Sequence, residues 1–295
     1  MKLALGTAQF GLNYGISNTA GKVSDHELQQ ILRVAADKGI TLLDTAQAYG
    51  DAESRLGLMT TESFQVISKL APGTTAATAQ TAVHHSLQQL KQSSLYGLML
   101  HRTQDYCAEL WQELQSIQAA GLIGKLGISV YTPEEVDEWF AHNPLPSLVQ
   151  LPANLLDQRF LRSGWLDRLK DAQCEIHVRS VFLQGLLLMP PALRPLRFSR
   201  FNAQFDSFDA LAQQHGRLNL AMAIRYAIPQ IDRLVIGCCS ATELSDIVKT
   251  YQQAQQFLAN PANQQITALG NEVLPLHALV AVKRLLTEDR RVSSQ

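Results

Sequence analysis

Short apolar runs alternate with longer amphipathic stretches along the whole of this chain, and that rhythm restricts the fold more than any other feature. A short apolar run bounded by turn residues reads as a buried strand, and helical periodicity between such runs reads as a covering helix. Strands are predicted at Leu3 to Gly6, in a run ending at Asp44, and at Gln65 to Ser68, Gly97 to Leu100, Leu126 to Ser129, Leu148 to Leu151, Ile176 to Val181 and Leu234 to Ile236, eight in all. Helices are predicted over Ser24 to Lys38, near Glu53 to Met59, and over Ala76 to Lys91, Glu109 to Ala120, Pro133 to Ala141, Ser163 to Ala172, Asn219 to Ile228 and Thr242 to Phe257. Ser24 is a candidate N-cap with Glu27 completing a capping box, Pro133 suits a first helical turn, and Gly39 and Gly121 stop helices. Strands buried on both faces and each followed by a helix belong to a parallel sheet. Right-handed crossovers close eight such units into an α/β fold, the (β/α)8 TIM barrel.

Two segments break the repeat. Gln184 to His215 is long and rich in Pro, Arg and Phe, and it follows the seventh strand; a loop of that length in a compact domain is usually functional. Its arginines, Arg194, Arg197 and Arg200, recur every third residue and read as solvated charge, or as a lid over phosphates if the loop closes. The tail from Ala259 onward packs on the barrel exterior or reaches over its mouth. The chain of 295 residues with 46% hydrophobic content can build one large core, so residues 1–295 are read as a single domain.

Charge narrows the partners. A net charge of -1 with 17% charged residues leaves no basic surplus to neutralise phosphates, which argues against nucleic acid. A small, weakly polar substrate fits better. The apolar start of Met1 to Leu5 is cut short by Gly6, Thr7 and Gln9, and no run suits a membrane span. Cys107, Cys174, Cys238 and Cys239 show no CxxC spacing, as expected of reduced thiols in a cytoplasmic enzyme. No HxH pair ends a strand, which counts against a metal-dependent barrel hydrolase, and the absence of GxGxxG excludes a Rossmann dehydrogenase. No feature specifies an oligomeric state.

In an α/β barrel the C-terminal strand ends carry the chemistry. The second strand ends in Asp44, and Tyr49 follows in the loop; the third run ends in Lys69 and the fourth in His101. Taken singly, a strand-end lysine is usually a solvated charge, and a histidine or tyrosine usually an edge of the core. Together, written as Asp44-Thr45-Ala46-Gln47-Ala48-Tyr49-Gly50 with Ser68-Lys69-Leu70 and Met99-Leu100-His101-Arg102, they resemble the catalytic tetrad of the aldo-keto reductases. Gly50, Glu53 and Gly57 resemble the continuation of the same motif.

That resemblance implies a barrel that binds NADPH without a Rossmann domain and reduces an aldehyde or ketone to an alcohol. Tyr49 would be the general acid. A phenol has a pKa near 10, so an adjacent Lys69 ammonium held by Asp44 would favour proton release at neutral pH, and His101 would orient the carbonyl. The resemblance extends to the cofactor site. It implies that Gly6 and Thr7 lie beneath the nicotinamide and that Ser129 and Gln150 bind its carboxamide, with Val130 standing where an asparagine is usual. Asn154 resembles a nearby asparagine of the family. Arg179, Ser180, Phe182 and Gly185 would follow the pyrophosphate, with Arg179 where the family commonly has a stacking aromatic. Gly237, Cys238, Ser240 and Glu243 would form the turn for the adenosine phosphate. The family's preference implies NADPH over NADH, although Glu243 stands where a basic or neutral residue is often found. A nucleotide-binding regulatory subunit with little turnover is the alternative from another class, and a lyase or isomerase using Lys69 as a Schiff base is a further one.

Overall fold

Eight strands, every one parallel to its neighbours, follow one another around a closed ring in chain order. The computed structural model describes residues 1–59, 63–224 and 228–259. The strands are β1 (Leu3–Gly6), β2 (Leu42–Asp44), β3 (Gln65–Leu70), β4 (Leu95–Leu100), β5 (Ile123–Ser129), β6 (Leu148–Pro152), β7 (Glu175–Arg179) and β8 (Arg233–Ile236). The ring closes where β8 pairs with β1 through Leu3–Leu234, Ala4–Val235 and Leu5–Ile236. Helices follow the strands, among them Asp25–Asp37, Ala52–Leu58, Ala76–Leu90, Ala108–Ala119, Pro133–His142, Trp165–Asp171 and Ala241–Ala259.

Side chains alternate along a strand, so residues two apart share a face. The inward layer is small and apolar: Ala4, Leu42, Ile67, Met99, Leu148 and Val235 form a cluster of their own inside the barrel. The outward residues, such as Leu5, Leu43, Val66, Leu98, Ile128 and Val149, join the helices in a much larger core. Two residues beyond each inward apolar position, toward the C-terminal rim, come Gly6, Asp44, Lys69, His101, Gln150 and Gly237. The pleat alone therefore lifts these six onto one ring above a plug of hydrocarbon. On β5 the same step leads from Gly127 to Ser129, and on β7 from His177 to Arg179.

Helix signals behave as expected at several places. Ser24 Oγ accepts from Glu27 N at 3.2 Å, Thr132 Oγ1 accepts from Glu135 N ahead of Pro133, and Gly39 and Gly121 take left-handed φ values of 75° and 82° just past helix ends. Glu27 differs from the predicted capping box. Its Oε1 accepts from Ala241 N at 2.7 Å, 214 residues away, because the start of the last helix presents an unsatisfied N–H within reach.

Three predicted boundaries are corrected. β7 begins at Glu175 and stops at Arg179, since Ser180 turns left-handed with φ 64°. The helix expected over 219–228 begins earlier, as Arg217–Met222, and residues 225–227 lie outside the described ones. The stretch 184–215 is not an irregular loop: it holds short 3-10 turns at Pro191–Leu193 and Leu196–Phe201, then the helix Asn202–His215. Phe198, Phe201, Phe205 and Phe208 recur at helical spacing and all are buried. That apolar stripe outweighs the Pro and Arg content of the segment. The tail beyond Ala259 lies outside the described residues.

Candidate active site

The rim of the barrel opens into a cleft of about 880 Å3. Asp44, Tyr49, Lys69 and His101 line it together with Gly6, Thr7, Ser129, Gln150, Arg179, Ser180, Phe182, Gly185, Gly237, Cys238 and Glu243. Ser240 and Asn154 do not line the cleft; Ser240 Oγ accepts from Glu243 N at 3.1 Å and caps the last helix.

Lys69 is the centre of the polar ring. Its side chain is 1% exposed, and its Nζ lies 2.6 Å from Asp44 Oδ1 while donating to the Thr45 carbonyl at 2.8 Å. Burial pushes the ammonium below its ordinary range, and the Asp44 carboxylate beside it offsets part of that effect. Gln150 Nε2 donates to the other Asp44 oxygen at 2.7 Å. A carboxylate only accepts, which fixes the orientation of that amide and leaves Gln150 Oε1 buried without a protein partner. Lys69 Nζ stands 5.3 Å from the centre of the Tyr49 ring, and the Tyr49 and His101 rings meet edge to face at 5.9 Å. Three strand ends and one loop thus bring phenol, ammonium, carboxylate and imidazole to one side of the cleft.

The loop that carries Tyr49 is held from two directions. Beneath it, Gly11 and Gly50 pack backbone against backbone: a Cβ on Gly11 would lie 1.7 Å from the Tyr49 carbonyl, and Gly50, with φ +58°, would put its Cβ 2.4 Å from the Gly11 carbonyl. Behind it, Gln47 donates to Ser86 Oγ at 2.9 Å and to the Ala82 carbonyl at 3.0 Å, and accepts from Ala71 N at 2.8 Å. Ser86 in turn donates to Glu53 Oε2 at 3.1 Å, and Ser68 donates to Glu53 Oε1 at 2.5 Å. Burial raises the Glu53 carboxyl above its ordinary range, against the opposing hydrogen bonds of Ser68 and Ser86. Neither Gln47, Ser68 nor Ser86 was expected in this role. The only sequence signal for them is polarity inside otherwise buried runs.

Opposite, Arg179 lies with its guanidinium 4.2 Å from the centre of the Tyr131 ring and donates to the Val130 carbonyl at 3.0 Å. Tyr131 was not anticipated, although it lies two residues beyond Ser129 on the same face of the chain. Asn154 turns inward to the backbone instead of the cleft: its Oδ1 accepts from Leu156 N and Asp157 N, and its Nδ2 donates to the Ser180 carbonyl. Backbone strain collects here, where Ser180, Leu183 and Gln184 have φ of 64°, 50° and 57°. Gln184 accepts from Ile16 N at 2.9 Å, and a Cβ on Gly185 would lie 1.8 Å from Ser17 Oγ. The stretch Tyr14 to Ala20 thereby becomes part of the cleft wall.

A parallel eight-stranded barrel with a buried carboxylate–ammonium pair beside a tyrosine and a histidine at its C-terminal rim defines a class of oxidoreductase. The chain matches the aldo/keto reductase family over residues 2–258 and belongs to that family. The aldo-keto reductase YhdN of Bacillus subtilis (strain 168) is similar at 26% identity over 239 residues, covering 68% of this chain and 71% of that protein. An aldo-keto reductase of Mycolicibacterium smegmatis is 25% identical over 231 residues, 74% of each chain. Among solved structures, an aldo-keto reductase of Bacillus halodurans in its holo form superposes with a TM-score of 0.67 at 18% identity, covering 86% of this chain and 91% of that one. A glycerol dehydrogenase of Gluconobacter oxydans gives 0.64 at 22% identity, covering 88% and 91%. These structural likenesses speak to the fold. Family membership supports NAD(P)H-dependent carbonyl oxidoreduction.

Proposed function

We propose that this chain reduces an aldehyde or ketone to an alcohol with a nicotinamide dinucleotide, Tyr49 acting as general acid. The observation that carries the reading is the buried Lys69–Asp44 pair, with Lys69 Nζ 5.3 Å from the Tyr49 ring centre and His101 against the ring edge. The residues present fit a nicotinamide. Gln150 Oε1 is a buried acceptor without a protein partner, suited to a carboxamide N–H, and Ser129 pairs with Gln150 across the sheet on the same rim. Gly6 and Gly237 add no side chain of their own to the rim beside them, where Val235 and Gln9 approach. Bound there, the cofactor supplies hydride to the carbonyl carbon.

The chain's own residues do the rest. Tyr49 holds the proton that the developing alkoxide needs, and the positive charge of Lys69 stabilises the phenolate left behind. Asp44 and the Thr45 carbonyl fix that charge in place. His101 lies against the Tyr49 edge, where it can donate to the same carbonyl oxygen and set its orientation. Lys69 is engaged with a carboxylate and a carbonyl at once, an arrangement suited to electrostatics and not to nucleophilic attack.

No helix among the described residues is long and apolar enough to cross a membrane, and all four cysteines are unpaired. We read the chain further as a cytoplasmic enzyme, and residues 1–295 as one domain. Tyr49→Phe is the direct test, since it removes one hydroxyl and keeps the ring. Carbonyl-dependent oxidation of the reduced cofactor should fall about a hundredfold to ten-thousandfold, while cofactor affinity, followed by fluorescence titration, moves by less than about threefold. Wild-type turnover in this variant would remove Tyr49 from the role. Tight cofactor binding without turnover in the unmodified protein, against a panel of small carbonyl compounds, would instead mark a binding subunit.

A further inference from the structure

Resting on the dinucleotide reading above, we propose that the turn after β8 discriminates against the 2′-phosphate of NADPH through Glu243, Glu27 and Asp246, so that this chain takes NADH. A dinucleotide whose nicotinamide lies at the tetrad can extend along the cleft to Gly237, Cys238, Glu243 and Asp246, which line its other end. An additional phosphate at that end would need a cation or unengaged helix N–H groups.

No lysine or arginine stands between Gly237 and Asp246, and three N–H groups of the turn are already engaged. Cys239 N donates to Glu243 Oε2 at 2.7 Å, Ala241 N donates to Glu27 Oε1 at 2.7 Å, and Glu243 N donates to Ser240 Oγ. Two carboxylates thus already occupy the positive end of the helix Ala241–Ala259, and Asp246 adds a third along the same wall. The cations that line the cleft already have partners of their own. Lys69 is bound to Asp44, Arg179 is stacked on Tyr131, and Arg217 is held by Asp209 at 2.6 Å.

A 2′-phosphate would meet the carboxylates of Glu243 and Asp246 on the cleft wall, while Glu27 holds the Ala241 N–H that could otherwise receive it. A ribose 2′-hydroxyl meets the same carboxylates as a hydrogen-bond donor. Glu243 and Asp246 are exposed, so solvent and salt soften the repulsion, and the discrimination expected at low ionic strength is about tenfold and not thousandfold.

The test is binding, not turnover. Full-length protein is titrated with NADH and with NADPH at low and high salt, following tryptophan quenching. Wild type should bind NADH about tenfold tighter, with the gap narrowing as salt rises. Glu243→Gln keeps an oxygen for Cys239 N and removes the charge; NADPH should tighten about five- to tenfold while NADH changes by less than about threefold. Asp246→Asn, which touches no cap, should act in the same direction and guards against a folding defect in the first variant. Tighter NADPH in wild type overturns the proposal, and its loss in Arg217→Ala would assign the phosphate to Arg217. An unchanged NADH-to-NADPH ratio in both carboxylate variants also overturns it. Failure of both dinucleotides to bind would sink the carbonyl-reductase reading itself.

Discussion

Replacing Lys69 with methionine separates what the buried pair does for the fold from what it does for the chemistry. The two side chains are 1% and 4% exposed and 2.6 Å apart. Methionine fills the space of the lysine stem, so packing changes little and the electrostatic consequence dominates. Asp44 keeps one donor, Gln150 Nε2 at 2.7 Å, and the Thr45 carbonyl loses the one it had from Lys69 at 2.8 Å. Stranding one partner of a buried pair costs about 3–5 kcal/mol, and burying a thioether in place of an ammonium offsets about 1 kcal/mol of that. The expected loss is therefore about 3 kcal/mol, a large share of a typical total of about 5–15 kcal/mol. In Lys69→Met/Asp44→Asn no charge is stranded, and the double variant should lie within about 1–2 kcal/mol of wild type. Urea titration read by the buried Trp139 and Trp165 measures both, and turnover runs alongside. Stability should recover in the double variant while carbonyl reduction stays low. A single variant that loses less than about 1 kcal/mol, or a cycle additive within about 0.5 kcal/mol, would refute the reasoning.

Three further outcomes are expected. Burial holds the Glu53 carboxyl above 4.5, so its contribution to stability is complete below that pH and is lost as pH rises through the raised value; Glu53→Gln should flatten this fall in a pH series of urea midpoints. Glu175 behaves oppositely. Burial works to raise it, but hydrogen bonds from His177, Lys125 and Tyr96 outweigh that and hold it well below the carboxylate range; its contribution is present above 4.5 and lost as pH falls, and Glu175→Gln should cost about 2–3 kcal/mol at pH 7 and flatten the acid limb. Gly11→Ala would drive a Cβ into the Tyr49 carbonyl, costing about 1–3 kcal/mol by thermal unfolding and lowering kcat more than cofactor affinity.

The barrel was legible because each strand's apolar run and each helix's periodicity report the same two-layer burial. The rim was legible because pleat alternation turns a polar residue two places after an apolar one into an inward-facing group, as with Leu42 and Asp44 or Ile67 and Lys69. The network of Gln47, Ser68, Ser86 and Glu53 was not, because its partners come from two strand ends and two helices and no local pattern records their meeting. Glu27 misled for the same reason: its spacing from Ser24 promised a local cap, whereas its carboxylate meets Ala241 at the start of the neighbouring last helix. In the stretch after β7, Pro and Arg hid the phenylalanine stripe that builds a helix.

The contact between Ile16 N and the Gln184 carbonyl joins the loops after β1 and β7, and β8 lies between those two strands in the ring. The link consequently arches over the end of β8. Anything lying along Gly237 and Cys238 would share the cleft with this strap, and its parting would ease both arrival and departure. Residence time would then be governed by a gate whose strength is one backbone hydrogen bond and the fit of Gly185 against Ser17. A variant that props the strap open, such as Gly185→Ala, would quicken entry and exit together while leaving their ratio nearly unchanged.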